Sequence, residues 1–72
     1  MTVQQLLSLC WTYEYISVET LNGIPMFNPE EATYVCELHP EVADLLVHTF
    51  YIDIRYVDCL HKDITVLVVH VK

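Results

Sequence analysis

The stretch D-I-T-V-L-V-V-H-V-K, residues 63–72, constrains the fold more than any other part of this chain. A strand with one face in solvent alternates apolar and polar side chains, because successive residues point to opposite faces. Here Val66, Leu67, Val68 and Val69 are contiguous, so a strand over 64–71 is apolar on both faces. With Ile64, Val66 and Val68 turned toward the helices, Leu67, Val69 and Val71 fall on the opposite face. The chain has no helix left to cover that face. The expectation is that Leu67, Val69 and Val71 form an oligomer interface, most simply that of a homodimer.

Length sharpens the same point. Seventy-two residues make a single domain, 1–72. A chain this short buries only about 60% of its unfolded surface, so its core is marginal. Yet 54% of its residues are hydrophobic and only one is glycine, more apolar surface than one small core easily hides.

The N-terminal pattern predicts a helix over residues 3–10. Thr2 and Gln5 make a capping box, and Val3, Leu6, Leu7 and Cys10 form an apolar stripe at helical spacing. Residues 13–21 read as a strand, followed by Asn22-Gly23, a type I′ hairpin signal, and a returning strand over 24–27. Pro25 has no N–H, which assigns that strand to a sheet edge. Asn28-Pro29-Glu30-Glu31 is a helix-start signature, and Pro40-Glu41 opens a second helical stretch to about residue 47. Residues 50–57 alternate cleanly, with Phe50, Ile52, Ile54 and Tyr56 on one face and Tyr51, Asp53, Arg55 and Val57 on the other. The expected fold is α+β in the order α-β-β-α-β-β: a four-stranded, mostly antiparallel sheet with two short helices on one face.

Charge excludes several functions. Ten acidic residues against three basic ones give a formal net charge of −7. Binding to duplex nucleic acid or an anionic membrane needs a basic footprint, and none is present. No stretch approaches the ~20 apolar residues of a membrane helix, and the start lacks a basic leader region. A cytoplasmic setting is therefore expected, where Cys10, Cys36 and Cys59 stay reduced. An acidic surface suits a basic surface on another protein, speeding encounter and adding selectivity.

Catalytic chemistry finds little support. Cys36-x-x-His39 and Cys59-x-His61 supply ligand types suited to zinc, but the spacing matches no finger, and no metal or cofactor is expected. A reactive cysteine needs a nearby cation or helix N-terminus. Cys10 falls at the wrong helix end, while Cys36 and Cys59 neighbour Glu37 and Asp58. Phosphate-binding glycine loops are ruled out by the single glycine. The chain reads as a non-enzyme.

Tyrosines and acids carry the remaining signal. Aromatic residues with a polar tip are typical of interfaces. The candidate partner-binding set is Glu14, Tyr15, Glu19, Tyr51, Asp53 and Asp58. A different reading gathers Arg55 and Lys62 around phosphates, with Tyr56 or Tyr51 stacking on a base.

The opening M-T-V-Q-Q-L-L, the N-G-I-P-M-F hairpin, the P-E-V-A-D-L-L-V stretch and the apolar final strand resemble small acidic proteins carried by phages and mobile elements of Gram-positive bacteria. That resemblance implies an accessory protein of the anti-defence kind, similar to anti-CRISPR inhibitors. Such a protein would bind a basic surface of a bacterial immune protein. The alternatives are an oligomeric sponge that sequesters a nucleotide immune signal, and a purely structural or assembly role.

Overall fold

A computed structural model describes residues 1–9 and 15–72. The expected roles of Cys10 and Glu14, and the expected start of the first strand at residue 13, lie outside the described residues. The fold is α+β, with two helices and a four-stranded mixed sheet.

Helix α1 (Val3–Leu9) starts as its capping box dictates. The Thr2 N–H donates to Gln5 Oε1 (2.9 Å) and the Gln5 N–H donates to Thr2 Oγ1 (3.2 Å), satisfying two terminal donors reciprocally. Val3, Leu6 and Leu7 are its buried stripe.

Strand β1 (Tyr15–Glu19) runs into a turn in which the Gly23 N–H donates to the Thr20 carbonyl (2.9 Å). Gly23 has φ +79°, whereas Asn22 is not among the described residues with positive φ. The turn is therefore not the expected type I′, which needs positive φ at both central residues. It is the longer form that ends in a left-handed glycine.

The returning chain also departs from expectation. Pro25 makes only an isolated bridge to Glu19, and the Met26 N–H donates to the Val18 carbonyl (2.9 Å). Lacking an N–H, Pro25 cannot carry a regular ladder. Regular pairing resumes at β2 (Glu30–Glu31), with Tyr15 opposite Glu31 and Ile16 opposite Glu30. Glu30 and Glu31 are thus extended rather than first-turn helical residues.

Helix α2 (Ala32–Leu38) begins only after that pairing ends, and it takes in Thr33, Tyr34 and Val35 despite their strand propensity. Tertiary packing overrides propensity here, since Val35 is fully buried. The expected helix over 40–47 shrinks to one 3₁₀ turn, Pro40–Val42. Strand β3 (Val47–Val57) then leads through a second 3₁₀ turn (Asp58–Leu60) into β4 (Lys62–Val71).

The strand order is β2-β1-β4-β3, with β1 and β4 parallel and the other two pairings antiparallel. This order corrects the reading of the final strand. β4 lies between β1 and β3, and both of its faces are buried within one chain. Leu67, Val69 and Val71 face the helices, packing with Val3, Leu6, Leu7, Ile16, Val18 and Val35. At 2%, 0% and 4% exposed, they offer no surface to a second subunit. Val66 and Val68 lie on the opposite face with Tyr15 and Val57. The face assignment was inverted because β1 joins β4 in parallel, a long-range pairing that local alternation does not encode.

Candidate functional site

Polar side chains gather in two places: a cluster on the sheet face away from the helices, and a cavity at the end of the sheet.

The polar cluster centres on Glu19, whose side chain is 2% exposed. Glu19 lies opposite His70 in the β1–β4 register, and Arg55 reaches it from β3 across β4. The Arg55 Nη1 donates to Glu19 Oε2 (2.9 Å), His70 Nε2 lies 3.1 Å from Oε1, and Ser17 Oγ donates to Oε2 (3.3 Å). A buried carboxylate is tolerable only with such partners. The pairing assigns the His70 proton to Nε2, because a carboxylate can only accept. Tyr51 then meets His70 chiefly as an edge-on ring, with centroids 5.4 Å apart.

Arg55 also donates from Nε to Asp53 Oδ2 (2.7 Å). That bond, with the Ile54 N–H donating to Oδ1 (2.8 Å), holds the Asp53 carboxyl below its ordinary range. The Arg55 guanidinium is correspondingly raised, chiefly by Asp53 and then by Glu19. Ser17 points at Glu19 rather than at His70. The cluster's geometry is that of an ion-pair network tying three strands together.

This network changes the standing of several candidate residues. Glu19 is not available to an incoming partner. Arg55 is occupied by two carboxylates, and it lies on the face of β3 opposite Tyr56, so one subunit does not bring Arg55 and Tyr56 to one nucleotide. Lys62 pairs with Val57 at the β3–β4 turn and is exposed.

The cavity, about 450 Å³, opens where β1 begins and β3 ends. Tyr15, Tyr34 and Tyr56 line it together with Glu30, Glu31 and Asp58; Asn28, Pro29, Val57 and Cys59 complete the described lining. Tyr15 and Val57 are its buried members, while Tyr34 and Tyr56 are 47% and 56% exposed. Tyr56 and Val57 are neighbours on a strand and point oppositely, so the cavity wraps around the strand end. No lysine or arginine is among the described lining residues. Three carboxylates and three aromatic rings therefore share one concave, half-open space.

Of the expected partner-binding residues, Tyr15 and Asp58 are brought together here, whereas Glu19, Tyr51 and Asp53 lie on the polar cluster. Tyr34, Glu30 and Glu31 were missed. Their acids had a sufficient local explanation as a helix start, and only the β1–β2 pairing shows them to be extended.

Cys36 packs against the main core, and its thiol is pushed up by burial and then by Asp44. His39 stacks on Phe27 at 3.9 Å, nearly parallel. Among the described residues no group of three or more His, Cys, Asp or Glu side chains is placed to hold a metal ion. No described helix is long and apolar enough to cross a membrane.

A last surface feature follows from the strand order. The helices cover β1 and β4 but stop short of β3. Phe50, Ile52, Ile54 and Tyr56 share the helix-side face, yet are 48%, 52%, 67% and 56% exposed. The uncovered apolar stripe of this protein is therefore on β3, not on β4.

No protein-family model, curated protein or solved structure matches the chain.

Proposed function

We propose that this protein is a non-enzymatic interaction module that binds a basic surface of another protein, in the manner of the phage anti-defence inhibitors its layout resembles. The observation that carries this reading is the cavity where Tyr15, Tyr34 and Tyr56 meet Glu30, Glu31 and Asp58 without a compensating cation among the described lining residues. With a net charge of −7, the rest of the surface steers the same class of partner. The partner proposed is a bacterial defence protein whose nucleic-acid surface is basic.

The test is plating efficiency of a restricted phage on hosts that carry individual defence systems and express this protein. Plating should rise for at least one system and fall back when Glu30, Glu31 and Asp58 are all changed to Lys. These residues are partly or fully exposed, so the triple variant keeps its fold. Equal plating with the wild type and the triple variant would contradict the proposal.

We propose in addition that a second copy of the chain pairs with the edge of β3. This strand ends the sheet, and beyond Val47, whose N–H donates to the Met1 carbonyl (2.8 Å), no described residue pairs with its outer edge. The strand carries neither Pro nor Lys, the usual guards of an edge. Antiparallel pairing about Ile54 is two-fold symmetric and sets Asp53 of one copy against Arg55 of the other, twice. Sedimentation at micromolar concentration should show a dimer, and Ile54→Lys should sediment as a folded monomer. A monomeric wild type, or an undiminished Ile54→Lys dimer, would refute the assignment.

A further inference from the structure

The cavity invites a more specific assignment, one that rests on the proposed binding of a basic surface. We infer that it takes a single arginine side chain from the partner, stacked against tyrosine and paired with the carboxylates.

A cavity of about 450 Å³ lies within the usual range for ligand sites, where a few polar or charged groups decide which ligand is accepted. Here the described charged groups are Glu30, Glu31 and Asp58, all of one sign, and a neutral or anionic ligand would leave them unpaired. An apolar ligand would answer the rings and not the acids. A cation answers both, because the negative face of an aromatic ring attracts it as a carboxylate does.

Between the two basic side chains, arginine fits better. Its planar guanidinium stacks on aromatic faces and presents donors in a fork matched to carboxylates, and it is less strongly hydrated than an ammonium. Two of the acids sit on extended backbone in β2, where pairing with β1 fixes their positions. Asp58 opens the turn that ends β3. The carboxylates are thus carried on β2 and on the 3₁₀ turn that follows β3.

The test is titration of the folded protein with capped Gly-X-Gly tripeptides in which X is arginine, lysine or citrulline, followed by tyrosine ring resonances. Citrulline keeps the shape of arginine without its charge. The arginine peptide should bind in the roughly millimolar range expected of so small a ligand. The citrulline peptide should bind at least about tenfold more weakly, and lysine should fall between them. Tyr34→Ala and Glu31→Gln, both at exposed positions, should each weaken arginine binding several-fold, while Tyr51→Ala, in the polar cluster and not among the described cavity-lining residues, should leave it unchanged.

Equal binding of arginine and citrulline, or insensitivity to both cavity variants, would overturn the inference, and tighter binding of lysine would replace arginine. If no tripeptide binds but a longer arginine-rich peptide binds at residues 28–34 and 56–59, the single-arginine inference fails and the broader proposal stands; binding elsewhere on the surface overturns both. If neither binds, both fail.

Discussion

Leu67→Glu should yield unfolded chain, and not a folded monomer. Leu67 is 2% exposed in the central strand, packed against both helices and β1. A carboxylate there would be buried without a cation, since Arg55 is on the opposite sheet face. The milder Leu67→Ala should cost about 2–5 kcal/mol, the lost transfer energy plus the cavity it leaves. A domain of 72 residues has a total stability of roughly 4–10 kcal/mol at ordinary per-residue values. Either substitution therefore removes much of the margin, and denaturant unfolding followed by circular dichroism reads it directly. A well-folded Leu67→Glu monomer would show that β4 is not central.

The second large effect concerns Glu19. Removing one partner of a buried ion pair costs about 3–5 kcal/mol when the other is left stranded. Arg55 is 31% exposed and keeps Asp53, so the expected loss for Glu19→Ala is smaller, about 2–3 kcal/mol. Glu19→Gln keeps the shape and part of the hydrogen bonding and should fall between the variant and the wild type. Urea unfolding midpoints of the two variants check the order. A Glu19→Ala protein as stable as wild type would mean that the three-strand network contributes nothing net.

The network also sets a pH dependence. Asp53 is held below its ordinary value of 3.8, so the stability it adds is fully present above that value. It is lost as pH falls through the depressed folded value. Asp53→Asn should flatten the acid limb of the stability curve below about pH 4.

Local features were legible in the sequence wherever short-range chemistry decides them. The capping box at Thr2 and Gln5 and the alternating faces of β3 are of this kind, as both depend on residues within a few positions of each other. The parallel pairing of β1 with β4 was not legible, because it joins segments about fifty residues apart. That one contact turned Leu67, Val69 and Val71 from an expected interface into the core, and it brought Glu19 to His70 and Arg55. The D-I-T-V-L-V-V-H-V-K run correctly demanded cover on both faces; the cover comes from the chain itself.

The candidate site was legible in part. Tyr15 and Asp58 were named from residue type and strand position. Glu30 and Glu31 were hidden by the Asn28-Pro29-Glu30-Glu31 pattern, whose helix-start signal lost to two residues of sheet pairing. Tyr34 was hidden because a lone tyrosine in a short amphipathic segment carries no directional signal. Each omission has one cause: a cavity formed from segments far apart in sequence has no local signature.

The acids and tyrosines at the end of the sheet are proposed to receive a basic partner. Titration with an arginine-rich peptide, mapped by backbone amide shifts, tests it most directly. Perturbations should concentrate at residues 28–34 and 56–59 and vanish in the Glu30, Glu31 and Asp58 to Lys variant. Perturbations centred on Tyr51, Asp53 and His70, or none at all at moderate salt, would contradict it.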